Sequence, residues 1–338
     1  MKKTIIAAAV AASVAAPAAF ADVKVGGMVA PEFSVTDNGS STDEGRVWTD
    51  LVFSGSEDLG NGLTASFKYH MFADTSGDSN IDAVGGEVLT ASGTAVSSAS
   101  VGPTANTVTQ PTISAISDTD GGQRIADLTV ALSGDFGTVK MGRFEPFAEG
   151  VIDAFANIEG INGMDLEATT GFAGRSNGSI AYVSPSMNGL SLGLSTVELG
   201  GEFNKANEVM VKYSNGPLMV MANSSKNDSN NVKHSGVAAS YKIDALELRA
   251  MKTTMKGQST TTLNGDYTMI GAKYTMGANT IAVGMSDDET AATNKESTLI
   301  SLTHALSKNT SAYIGFKNDD PATGADTDTT IIGVSQKF

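Results

Sequence analysis

The chain has 338 residues, 22 Lys and Arg against 37 Asp and Glu, a net charge of -15, and no Cys. The lack of Cys excludes a disulfide framework, a Cys-ligated zinc and a thiol nucleophile, and three scattered His (His70, His234, His304) offer little for a His-based metal or catalytic site. Charged residues are only 17%, mean hydropathy is -0.04, and no run of about 18 to 20 apolar residues follows position 21, so a helical span in the mature chain is excluded and the acidic balance argues against nucleic-acid binding.

Residues 1–21 read as a signal peptide. Lys2 and Lys3 form a positive start, Thr4 to Ala18 an Ala-rich apolar core, and Ala19-Phe20-Ala21 fits a small-x-small cleavage site, with Asp22 opening the mature chain. An N-terminal anchor helix is the alternative, but the core is short and no stop-transfer pattern follows. Cleavage removes two Lys and no acid, which takes the net charge from -15 to -17. The protein is expected to be exported, with residues 22–338 forming one unit.

That unit reads as strands. Leu63, Ala65, Phe67, Tyr69 and Met71 share one face, against Thr64, Ser66, Lys68 and His70. The same alternation sets Val209, Val211 and Tyr213 against Met210 and Lys212, and Val237, Ala239 and Tyr241 against Ala238, Ser240 and Lys242. It continues with Leu246, Leu248 and Ala250 against Glu247 and Arg249, then Ile270, Ala272 and Tyr274 against Gly271 and Lys273. In a soluble sandwich the apolar face packs inward; in an outer-membrane barrel it meets lipid and the polar face lines a lumen. Alternation alone does not choose between them.

Connections choose better. Short turn signals occur at residues 59–62, 135–137, 187–189, 215–216, 244, 277–279 and 308–309, where Gly, Asn and Asp supply the positive φ of tight hairpins. Between them lie segments rich in Asp, Ser, Thr and Asn: 36–45, 74–122, 146–175, 200–206, 226–233, 255–264, 289–296 and 319–327. Seven short turns and eight long loops join sixteen strands. One rim of short turns and one of long loops is the layout of a bacterial transmembrane barrel.

Tyr182, Tyr213, Tyr241 and Tyr274 recur a few residues before short turns, and an amphipathic ring with a polar tip suits a membrane interface. They are expected to form the turn-side aromatic girdle, with His304 at a further girdle position. Cross-strand packing in a soluble sheet is the bland alternative. The last strand, Thr330 to Phe338, ends in an aromatic with Val334 and Ile332 on its face, which resembles the sorting signal of outer-membrane barrels.

The whole mature chain resembles the Gram-negative general porins, with those of alphaproteobacteria nearest. The matching stretches are Val23-Lys24-Val25-Gly26-Gly27, the run from Leu132 through Gly134-Asp135-Phe136-Gly137 to Arg143, Gly174-Arg175-Ser176-Asn177-Gly178-Ser179-Ile180-Ala181-Tyr182, Asn188-Gly189-Leu190-Ser191, and the terminal Phe338. The resemblance implies an all-β fold: a sixteen-stranded antiparallel transmembrane β-barrel with short periplasmic turns, long extracellular loops and an inward-folded third loop, as a homotrimer in the outer membrane. It implies an assembly route through the barrel assembly machinery, contact with the lipid bilayer and lipopolysaccharide, and passive diffusion of small hydrophilic solutes without a cofactor.

The loop from Pro146 to Gly174 carries Glu149, Asp153, Glu159, Asp165 and Glu167 and no Lys or Arg, and Glu145 precedes it. A sixteen-stranded lumen is wide enough to hold water, so an inward loop must narrow it. In the resembled family, acids on this loop face basic side chains on the wall, for which Arg46, Arg124 and Arg175 match by position. Arg143 shares phase with Val139 and Met141, which points it at lipid unless a bulge turns it inward. Glu145, Glu149, Asp153 and Glu159 are thus the expected acidic side of the constriction, and Arg46, Arg124, Arg175 and Arg143 the basic side. The acidic loop and the charge of -17 predict mild cation preference, which Lys68, Lys212, Lys242 and Lys273 would oppose.

The 74–122 insert is too long for an ordinary connection; it could extend a hairpin, fold over the pore, latch onto a neighbour or stay disordered. Rim acids such as Asp37, Asp43, Glu44, Asp287, Asp288 and Glu289 could hold loop-bound Ca2+ shared with lipopolysaccharide. A solute-specific channel, which would need an aromatic or charged ladder on the polar face, and a structural or adhesive barrel are the competing readings. An enzyme is not expected, because none of the three His has a nucleophile and acid beside it.

Overall fold

The computed structural model describes residues 23–75, 124–158, 161, 164–166, 175–199, 202–229, 231–257, 264–290 and 294–338. The expected signal peptide, residues 76–122 of the insert and Glu159 lie outside the described residues.

Sixteen strands form a closed antiparallel barrel in which each pairs with its sequence neighbours and β16 returns to β1. They are β1 (Lys24–Asp37), β2 (Ser41–Gly60), β3 (Leu63–Asp74), β4 (Arg124–Gly134), β5 (Gly137–Phe144), β6 (Ser176–Val183), β7 (Leu190–Leu199) and β8 (Glu202–Asn215). The second half comprises β9 (Leu218–Asn227), β10 (Val232–Ile243), β11 (Leu246–Lys256), β12 (Gly265–Met276), β13 (Asn279–Asp288), β14 (Lys295–Ala305), β15 (Thr310–Pro321) and β16 (Thr327–Lys337). One helix, α1 (Phe147–Ala156), lies between β5 and β6. Closure leaves no unpaired sheet edge, the condition for placing a sheet in hydrocarbon, where each unsatisfied backbone group costs several kcal/mol. The seam is finished by Phe338: its N–H donates to the Gly27 carbonyl and its own carbonyl accepts from the Gly27 N–H, both at 3.1 Å. A Cβ on Gly27 would run into the Asp50 carbonyl oxygen and stand 2.6 Å from the Phe338 ring, so glycine is what fits between strand and terminal aromatic at the seam.

The apolar phase of the strands faces outward. Phe33, Val130 and Leu194 are 69%, 62% and 52% exposed, which no soluble sheet of this size would tolerate in so many strands. Tyr213, Tyr241 and Tyr274 stand in this outer phase near the short turns, paired with Leu190, Leu218 and Leu246. Tyr182 pairs with Val139 and Leu194 in the same phase and donates its hydroxyl to the Phe136 carbonyl at 2.7 Å. His304 pairs with Asn279 on the outer face, its Nδ1 2.8 Å from the Asn279 amide oxygen.

Most of the expected long loops are shorter than the sequence suggests. The strands run on through the polar segments: β1 reaches Asp37 and β2 resumes at Ser41, and Leu199 pairs directly with Glu202. Above the apolar band both faces of a strand are free to be polar, so alternation fades while backbone pairing continues. Only the 75–123 and 145–175 connections are long.

Candidate pore constriction

The inner face divides into two unlike halves. On β8 to β16 the inward positions include Met210, Met221, Ala238, Met251, Tyr267, Met269, Ala282, Leu299 and Ile331, all buried. They are covered by the connection after β5. Val151, Ile152 and Phe155 of α1, then Ile158, Ile161, Met164 and Leu166, join them in one apolar cluster. Burial of each such side chain is worth about 1.5–3 kcal/mol, so the segment is docked on the wall by a core of its own. Glycines make room for it. Ile158 and Leu166 both press on Gly284, where a Cβ would stand 2.7 Å from each, and Met164 fills the space a Cβ on Gly315 would need.

Both ends of α1 are held by charged wall residues. Pro146 occupies the N-cap position and offers no side-chain cap, so the first N–H groups need an outside acceptor. Glu208 of β8, 2% exposed, supplies it. Its carboxylate accepts from the N–H of Phe147 and of Ala148, both at 2.8 Å, and from the hydroxyls of Ser195 at 2.6 Å and Ser225 at 3.1 Å. At the other end the last turn has no basic residue. Arg249 of β11 donates from Nη1 to the carbonyls of Asn157 at 2.9 Å and Ala154 at 3.4 Å, while its Nε donates to Glu247 at 2.7 Å. An anion at the N-terminus and a cation at the C-terminus are both favoured by the helix dipole.

The free face of α1 carries the acids. Glu149 and Asp153, four residues apart on α1, share one face beside the apolar one, and Glu145, just before the Pro146 N-cap, joins them through its hydrogen bond with Asp153. Burial pushes Asp153 up to about 8, helped by a side-chain hydrogen bond with Glu145 and by that carboxylate's charge. Burial also raises Glu149, with the charge of Arg175 opposing it. The helix therefore carries less negative charge at neutral pH than its composition suggests.

The other half of the inner face, on β1 to β5, is polar. Lys68 and Asp127 pair at 2.6 Å; His70 Nε2 lies 3.1 Å from Asp50, and its Nδ1 3.8 Å from Asp127. Arg175 stands between the two sides, 3.8 Å from Asp127 and 3.6 Å from Glu145. Arg46 is paired with Glu32 at 2.7 Å, and Glu32 also accepts from the Tyr313 hydroxyl at 2.6 Å. Arg124 opens β4 opposite Phe72 on the lumen phase and is exposed. Arg46, Arg124 and Arg175 thus stand on the inner side, whereas Arg143 does not. A bulge does occur between Gly142 and Phe144, but Arg143 registers opposite outward-facing Leu128, and it donates to the carbonyls of Ile125 and Arg175 at 2.7 Å each. It ties the mouth of the loop together and is removed from the basic side of the constriction.

Sequence reasoning missed Glu208 and Arg249. A charged residue on the polar face of a strand looks like any lumen residue. It also missed Trp48 and Phe72, which stack in the lumen with centroids 5.5 Å apart and an interplanar angle of 11°, since an isolated pair makes no ladder. Among the described residues no group of three or more His, Cys, Asp or Glu side chains is placed to hold a metal ion.

A family model described as Gram-negative porin matches residues 7–323. The chain belongs to the Gram-negative porin family. It is accordingly an outer-membrane channel protein of a Gram-negative bacterium, with nothing in family or fold that points to an enzyme. Among solved structures it is similar to the anion-selective porin from Comamonas acidovorans, at 18% identity over 94% of this chain and 100% of that one, TM-score 0.65. It is similar also to a substituted form of Rhodopseudomonas blastica porin, at 16% identity over the same shares, TM-score 0.66. At these identities the likeness speaks for the fold. No curated protein matches the chain.

Proposed function

We propose that this porin is a passive diffusion channel for small hydrophilic solutes and ions, whose open path runs between the acidic stripe of α1 and the polar wall of β1 to β5. The supporting observation is the unequal cover of the inner face: on β8 to β16 a patch of apolar side chains lies buried under the α1 segment, while β1 to β5 present charged, partly exposed side chains with no such cover. Carboxylates on one side and Lys68, Lys140 and Arg175 on the other set a field across that path, which favours water and dipolar solutes over apolar ones. Contact with lipopolysaccharide at the rim, assembly by the barrel assembly machinery and a homotrimeric state belong to the same reading.

Selectivity for ions then depends on a close balance. The loop acids favour cations, while Lys140, Lys212, Lys242 and Lys273 on inward phases favour anions. Asp153, with its carboxyl at about 8, is neutral below that value and negative above it. The expected result is mild cation preference that strengthens as pH rises from about 6 to about 9, as Asp153 gains its charge. Reversal potentials in a salt gradient across a planar bilayer measure this; a potential that shifts toward the anion value on raising pH contradicts it. The stacked Trp48–Phe72 pair favours a second reading, a weak site for a ring-bearing solute on the path. Saturable block of the current by one solute class, lost in Trp48→Ala, would distinguish it.

A further inference from the structure

We propose that Glu208 and Arg249 are positioning residues of the channel, a two-ended clamp that keeps α1 on the wall and thereby gives the pore a single fixed aperture. The proposal rests on the diffusion-channel reading and adds what sets its width. Neither residue stands on the free acidic face of α1, so neither is needed to meet the solute.

Three observations converge on it. Glu208 is buried yet spends its carboxylate on four donors, two of them the first N–H groups of α1, which have no cap from the loop itself. Arg249 serves the opposite end, where α1 lacks a cation, and Glu247 fixes the guanidinium in place. Beyond α1 the segment falls into glycine sockets: Ile158 against Gly271 and Gly284, Leu166 against Gly284, and Met164 against Gly315. A strand residue that only lined a wet lumen would have no reason to bury its charge against a helix terminus. Glu208 and Arg249 sit on β8 and β11, the two edges of the wall that α1 covers. Hydrogen bonds to charged groups are among the strong ones in proteins, and both ends must let go before α1 can leave.

The test uses the full-length channel in planar bilayers, with Glu208→Gln, Arg249→Met and the double variant. The native chain has no Cys, so Met221→Cys, buried under α1, reports undocking through its reaction with a charged thiol reagent. In the native background the current is expected to be a steady single level and Met221→Cys to react slowly. Each clamp variant is expected to flicker between levels, and losing even one charged hydrogen bond should speed labelling by about tenfold. Arg249→Lys, which keeps the cation, should restore much of the quiet current. A steady current with unchanged labelling in the double variant overturns the clamp. If the double variant fails to form a barrel, the single variants carry the same readouts. A native channel that does not conduct refutes the diffusion reading instead, while the labelling still judges the clamp.

Discussion

Replacing Glu145, Glu149 and Asp153 together by Gln, Gln and Asn is expected to shift the channel's ion selectivity toward anions at alkaline pH. Glu149 and Asp153 share one face of α1, Glu145 hydrogen-bonds Asp153 from just before the helix, and Arg175 stands 3.6 Å from Glu145. A unit charge about 7 Å from a passing ion in a water-like medium is worth about 0.6 kcal/mol, or roughly a threefold bias per charge. Screening at physiological salt, with a Debye length near 8 Å, reduces this, so the triple change should alter the cation-to-anion permeability ratio by about fivefold. At pH values well below 8 Asp153 is already protonated, so the same variant should shift selectivity less there. An equal shift at both pH values would mean that Asp153 is not the group that titrates.

Gly284→Leu is the second large effect. Gly284 lies on β13, where Ile158 and Leu166 both reach it from the loop. A leucine there cannot share the space. Overpacking of this kind costs about 1–3 kcal/mol, and the loop is the part free to yield. The segment from Ile158 to Leu166 is expected to lift off the wall toward the lumen axis, lowering single-channel conductance while the barrel stays folded. Gly284→Ala, the smaller insertion, should have the same sign and a smaller size. Wild-type conductance in Gly284→Leu would show that this socket does not position the loop.

The barrel was legible because its physics is periodic. Phe67 and Tyr69 point outward and Lys68 and His70 inward for no reason but the pleat, and turn residues such as Asn61, Gly216 and Asp244 mark the short-turn rim with their positive φ. The docking of the loop was harder to read. Met210 stands on the polar phase of β8, Met251 and Met269 on those of β11 and β12, and an apolar side chain in a lumen position is the sign that something covers it. The helix, too, was written in Val151, Ile152 and Phe155 set beside Glu149 and Asp153, but a polar loop was the simpler reading. Glu208 and Arg249 left no sign, because their task depends on where a distant segment lands. Arg143 shows the opposite case: its phase was correct evidence for an outward position, and the bulge did not change it.

The most direct measurement places a single cysteine, in a chain that has none, on each side of the same wall. Ser54→Cys lies on the inner phase of β2, between Lys24 and Lys68, and Val130→Cys on the outer phase of β4. A charged, membrane-impermeant thiol reagent added to conducting channels should react with the first and cut the current, and leave the second untouched. Rapid reaction at position 130 with none at position 54 would reverse the two faces, and a wet interior bounded by an apolar exterior would no longer describe this protein.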